Sequence, residues 1–126
     1  MNVLITGGGC SEKIDDVRLI TNFSSGKTAL LIARTVHALN PAAAIDLLLS
    51  ERAVQPKISS FRKARFNGQN ARAFLPWLSV KNFSSCDDLK KLLRTALLEK
   101  SYDFVFHAAA VSDYTVQSVV VDGKEF

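Results

Sequence analysis

The sequence holds two cysteines, three prolines, one methionine and one tryptophan in 126 residues, and no long apolar run. Cys10 and Cys86 are too few for the disulfide framework of a small secreted scaffold, and neither has a second cysteine or a histidine at metal-ligand spacing. Both are expected to be reduced and structural. A run of ~18 apolar residues, the minimum for a membrane-spanning helix, does not occur. The opening "MNVLITGGG" lacks the basic start and the small-residue cleavage pattern of a signal peptide. The expectation is cytoplasmic residence, with no membrane association. His37 and His107 belong to no metal pattern, no metal site is expected, and His37 reads as a solvated or capping residue.

With 48% hydrophobic and 22% charged residues, the chain has the composition of one ordinary domain, residues 1–126, with material for a single core. Its net charge is +4, and the excess is concentrated in Lys57, Arg62, Lys63, Arg65 and Arg72. A basic cluster attracts polyanions. The surrounding "QPKISSFRKARFNGQNARA", however, has no helical stripe and fits no nucleic-acid-binding motif, so it reads as a solvated connecting loop with no nucleic-acid partner.

"NVLITG" is a short apolar run stopped by glycines, as a buried parallel strand entering a ligand loop would be. "TALLIARTVHAL", apolar almost all round and stopped at Asn40-Pro41, suits a helix buried against a sheet. Strands follow at Ile45 to Leu49 and at Trp77 to Phe83. Ser85 and Asp88 form a capping-box pair ahead of "DDLKKLLRTALLEK", whose leucines recur at helical spacing. "YDFVFHAAA" is a fourth strand, and Asp122-Gly123 between β-branched residues signals a hairpin. Alternating strands and helices imply a parallel α/β sheet, in which ligands bind beyond the carboxyl ends of the strands at a switch in strand order. The loops "GGGCSEKIDD" and "AAAVSDY" have the composition for that role. Only four parallel strands are visible, fewer than a doubly wound domain usually has, so the domain is expected to be cut at its C-terminus.

The stretch "TNFSSGKT" ends like a phosphate-binding P-loop. That loop needs a glycine five positions before its final Gly-Lys, and the residue there is Thr21. The preceding "SEKIDDVRLI" is charged and lacks a strand's alternation, so the P-loop reading fails. A weaker one survives, in which Ser24, Ser25 and Gly26 open a helix whose free N–H groups attract phosphate. The dinucleotide fingerprint is met at Gly7 and Gly9, but its last glycine is Glu12. The short-chain reductase variant is met at Thr6 and Gly7 and then finds Ser11 and Lys13. It also lacks a Tyr-x-x-x-Lys pair, since Tyr114 is followed four residues on by Ser118 and Tyr102 by Phe106. An NAD(P)-binding reductase is therefore the second reading, and a non-catalytic ligand-binding fragment the third.

"VLITGGGCSEKIDDVRLITNFSSGK", "RAVQP" after the second strand and "HAAAVSDYT" after the fourth together resemble the phosphopantothenoylcysteine synthetase family, over most of the chain. The resemblance implies a Rossmann-like parallel sheet with helices on both faces, truncated, with a C-terminal β-hairpin. It also implies a homodimeric ligase of coenzyme A biosynthesis that joins 4′-phosphopantothenate to cysteine through an acyl-nucleotide, with CTP or ATP as co-substrate and Mg²⁺. By the same resemblance Asn22 donates to the acyl carbonyl during cysteine attack and Arg18 holds the acyl-nucleotide. Gly8 and Gly9 would bind nucleotide or substrate, Ser24, Ser25 and Gly26 would serve phosphate, Ala109 and Ala110 would lie against the acyl-nucleotide, and Asp113 would serve the nucleotide. Cys10 stands where the family commonly has threonine or another small polar residue. The family's catalytic lysine, often within Lys-Ile-Ser or Lys-Ile-Lys, follows Ser-Asp-Tyr, whereas "KISS" at Lys57 to Ser60 precedes it and is read as coincidence. Half of the nucleotide site is thus expected to be missing.

Overall fold

In the computed structural model, residues 1–56, 65–67 and 72–125 are described, with 65–67 and 72–74 in backbone only. Strand β1 (Asn2–Gly7) leads into a hairpin of β2 (Ser11–Lys13) and β3 (Leu19–Thr21), and helix α1 (Lys27–Leu39) follows. Then come β4 (Ala44–Ser50), a short antiparallel pair β5 (Arg65–Asn67) and β6 (Arg72–Phe74), β7 (Leu78–Phe83) and helix α2 (Cys86–Glu99). Strand β8 (Phe104–His107) and a hairpin of β9 (Val120–Val121) and β10 (Lys124–Glu125) complete the described chain.

The central sheet has the order β7-β4-β1-β8, every pair parallel. Strand order therefore reverses between β1 and β8, where the glycine loop and the alanine loop emerge side by side. Alternation along the strands sends Val3, Ile5, Ile45, Leu47 and Leu49 to one face, against Ala29, Leu30 and Ala33 of α1. Leu4, Leu48 and Phe83 line the other face, against Leu89 of α2. Each such large side chain contributes about 1.5–3 kcal/mol by leaving water. This is the Rossmann-like sheet with helices on both faces that the sequence implies. The Asp122-Gly123 turn also forms, both residues at positive φ (50° and 76°), as a tight hairpin between right-twisted strands requires.

Four expectations are corrected. The charged "SEKIDDVRLI" is two strands rather than none, because three-residue strands are too short to display alternation and are fixed by backbone pairing of Ser11, Glu12 and Lys13 with Thr21, Ile20 and Leu19. The connecting loop carries the β5–β6 pair. Of its basic cluster, Lys57, Arg62 and Lys63 lie outside the described residues, as do "KISS" and the side chains of Arg65 and Arg72. Third, α1 buries only one stripe, leaving Leu31 and Leu39 exposed, because one sheet face can cover only one side of a helix. The fourth is His37, expected to be solvated or capping: it is half-buried, its ring stacks on Trp77 at 3.7 Å and 8°, and its Nδ1 is buried and unbonded among the described residues. No described helix is long and apolar enough to cross a membrane.

Candidate functional site

The loops after β1 and β8 are tied together residue by residue. Ala108 N–H donates to Thr6 O (3.1 Å), Ala110 N–H to Gly8 O (2.8 Å) and Cys10 N–H to Ala110 O (3.0 Å), so the ladder between the strands continues past their ends. The fully buried Thr6 hydroxyl accepts Ala109 N–H (3.2 Å) and pairs with His107 Nδ1 (2.7 Å), fixing where the alanines start. No sequence motif gives Thr6 or His107 this role, and only the β1–β8 pairing reveals it.

Asn22 joins this frame from the hairpin. Its backbone N–H donates to Cys10 O (3.0 Å), and its side-chain Nδ2 donates to Ala110 O (3.1 Å) and Val111 O (2.8 Å). Both sequence motifs thus meet at one amide. A Cβ on Gly9 would come within 2.1 Å of the Asn22 carbonyl oxygen, so the absent side chain at position 9 makes room for the Asn22 loop. Gly8 is likewise buried against Ser50 and Ala53. The chain itself fills the space beside these two glycines.

Gly26 caps α1 in the left-handed region (φ 75°), where a side chain would also meet Ala53. Ser25 Oγ accepts Lys27 N–H (3.4 Å) and its carbonyl accepts Val54 N–H (2.9 Å), while Ser24 is half-buried. The turn therefore sits at the start of a helix, where anions are favoured. Asp113 is exposed just beyond Val111.

Arg18 is held elsewhere. It sits at the tip of the β2–β3 hairpin, where its guanidinium grips Asp15 (Nη2 to Oδ2 2.6 Å, Nε to Oδ2 2.8 Å). The other Asp15 oxygen accepts the N–H groups of Val17 and Arg18 (3.0 and 2.7 Å). The Arg18 side chain first, then these backbone donors, holds the Asp15 carboxyl below the usual carboxylate range. Four residues of extended chain separate Arg18 from Asn22, roughly 13 Å at ~3.3 Å per residue. The structure does not bring them together.

Beneath the loop lies the thiol of Cys10, fully buried in a core cluster against which Cys86 packs. Burial first, and then the neighbouring Cys86, pushes it up to about 11. The backbones run alongside, with Ser11 N–H on Ser84 O (2.7 Å) and Cys86 N–H on Glu12 Oε1 (3.0 Å). Glu12, which stands where a dinucleotide fold has its third glycine, thus serves the start of α2.

A cleft of about 310 Å³ lies on the α2 face, lined by Asp46, Lys81, Glu99, Lys100 and Tyr102 among others. Asp46 Oδ2 accepts from Tyr102 Oη and from Lys100 Nζ (3.1 Å). Burial, then the Asp46 carboxylate, raises the Tyr102 phenol above its ordinary value. Asp46 is the third residue of β4, so this cleft belongs to the amino end of the sheet, away from the paired loops.

A parallel sheet with its two loops joined at the strand-order switch defines a Rossmann-like ligand-binding domain. A family model described as "DNA/pantothenate metabolism flavoprotein C-terminal domain" matches residues 1–64, and the chain belongs to that family. It is 30% identical over 118 residues to the coenzyme A biosynthesis bifunctional protein CoaBC of Methanocaldococcus jannaschii, covering 92% of this chain and 23% of that one. The crystal structure of the DNA/pantothenate metabolism flavoprotein from Streptococcus pneumoniae superposes with a TM-score of 0.70 at 31% identity, covering 91% of this chain and 42% of that one. The C-terminal domain of a CoaBC protein superposes with a TM-score of 0.66 at 29% identity, covering 92% and 48%. The resemblance drawn from the two motifs therefore holds, and the chain spans about a quarter to a half of the relatives it matches.

Proposed function

We propose that this chain is the amino-terminal half of a ligase that joins 4′-phosphopantothenate to cysteine in coenzyme A biosynthesis. The observation that carries the reading is the Asn22 amide bonded to the carbonyls of Ala110 and Val111, which unites the two motifs at the strand-order switch. In the proposed first step the substrate carboxylate attacks the α-phosphate of a nucleoside triphosphate, CTP in preference to ATP, and pyrophosphate leaves. Anion then meets polyanion, and the N–H groups of the Ser24-Ser25-Gly26 turn at the head of α1 offset the repulsion. In the second step the cysteine amine attacks the acyl carbon and the nucleotide leaves. The developing oxyanion takes the place of the Val111 carbonyl as acceptor from Asn22 Nδ2. Arg18 would reach the nucleotide by exchanging Asp15 for phosphate, and Asp113 would serve the nucleotide from the facing loop.

Mg²⁺ is part of the proposed chemistry, yet the donors at this site are N–H groups and one exposed carboxylate. Among the described residues no three His, Cys, Asp or Glu side chains are placed to hold a metal. This half of the site does not fit a protein-held cation, and no step above depends on one.

The NAD(P) reading is disfavoured by the hairpin between the glycine loop and α1, since a dinucleotide fold runs from that loop directly into its helix. For the encoded full-length protein, pyrophosphate release should require phosphopantothenate. Asn22→Ala should retain that release while acyl-nucleotide accumulates. Binding of nicotinamide cofactor with no substrate-dependent pyrophosphate would sink the proposal, and phosphopantothenate binding without turnover would mark a binding module instead.

A further inference from the structure

We propose that Cys10 and Cys86 are a reversible thiol–disulfide pair, closed by exchange with low-molecular-weight disulfides, that locks the glycine loop to the start of α2. Far apart in sequence, the two residues sit in one packed cluster, Cys10 buried within it and Cys86 packed against it, and both are free. Two backbone-anchored bonds flank them, Ser11 N–H to Ser84 O and Cys86 N–H to Glu12 Oε1, so the segments are already aligned for a bridge. Closing it brings the sulfurs to about 2.05 Å.

The two thiols are unequal. Cys86 is half-buried at the first residue of α2 whereas Cys10 is fully buried, so Cys86 is the entry point. Its thiolate attacks one sulfur of the small disulfide, and one small thiolate leaves and takes a proton. Cys10 then attacks the Cys86 sulfur of the mixed disulfide and expels the second small thiol. Two protein thiols are oxidised and one small disulfide is reduced to two thiols. Because the Cys10 thiol is raised to about 11, this second step is slow at neutral pH and quickens as pH rises.

The bond matters to the candidate site because Cys10 is its hub. Its N–H donates to the Ala110 carbonyl and its carbonyl accepts the Asn22 N–H. Pulling the sulfur toward Cys86 shifts the Cys10 backbone and with it the seats of Ala110 and Asn22.

The test needs no substrate and so stands apart from the ligase reading. The folded chain is incubated with glutathione disulfide and followed by intact mass and thiol alkylation. The expected product has lost about 2 Da and both alkylatable thiols, is restored by dithiothreitol, and forms about tenfold faster per pH unit between 7 and 9. Cys10→Ser should stop at a stable glutathione adduct on Cys86, and Cys86→Ser should give no bridged product. If Cys10→Ser fails to fold by circular dichroism, the wild-type and Cys86→Ser results decide. Wild-type protein that keeps both thiols alkylatable, or that stops at a glutathione adduct, overturns the proposal.

Discussion

Gly9 and Asn22 show how little room the site leaves for substitution. A methyl group on Gly9 would have to displace the Asn22 carbonyl, 2.1 Å from its ideal position. Gly9→Ala should therefore destabilise the fold by about 1–3 kcal/mol, the usual range for overpacking, measured as a fall in the denaturant midpoint. Asn22→Asp keeps the shape but sets a carboxylate against the carbonyls of Ala110 and Val111 in place of two N–H donors. It should cost more stability than Asn22→Ala, and its deficit should shrink as pH falls and the carboxyl regains a proton. Equal melting of the two variants from pH 4 to 8 would contradict this account. The sequence supplied Asn22 through its motif but not its partners, since a side-chain amide reaching two carbonyls beyond another strand follows from strand order alone.

At the scale of elements, the start of α2 was legible in the sequence because a cap is local. Ser85 Oγ accepts Asp88 N–H (3.1 Å), and the Asp88 carboxylate accepts the N–H groups of Ser85 (3.1 Å) and Ser84 (3.2 Å). The Ser85 N–H first among these contacts lowers the Asp88 pKa from its usual value. A carboxyl lowered in the folded state contributes stability above its unfolded pKa, near 3.9, and loses it as pH falls through the folded value. Ser85→Ala should cost about 1 kcal/mol. Asp88→Ala should reduce the dependence of stability on pH below about 4, measured by thermal melts across that range. The β2–β3 hairpin was invisible for the opposite reason. Its two short strands carry no period, and its turn is built by Asp15 gripping Arg18. Asp15→Ala should free Arg18 and increase hydrogen exchange at Val17 and Arg18 while leaving the melting temperature nearly unchanged, because the group is at the surface.

Across the whole molecule the sheet is asymmetric. Strand β4 is buried between two neighbours, whereas β8 is an edge with Phe104, Val105 and Phe106 exposed at 54%, 49% and 38%. Parallel strands are normally covered on both faces, and an apolar edge is a template for pairing. The 126-residue chain should thus self-associate with rising concentration in light scattering, and Val105→Lys should suppress this without lowering the melting temperature. A monomer at all concentrations would show that the edge is shielded. The sequence by itself determined the main elements, the two-faced burial and the family, because apolar runs, alternation, caps and an Asp-Gly turn each act within a few residues. Only the tertiary structure decided which distant groups meet: Asn22 with Ala110 and Val111, Thr6 with His107, His37 with Trp77, and Cys10 with Cys86 in one core cluster. The Asn22 and Thr6 contacts arise from placing the fourth main-sheet strand beside the first, and no local periodicity encodes that order.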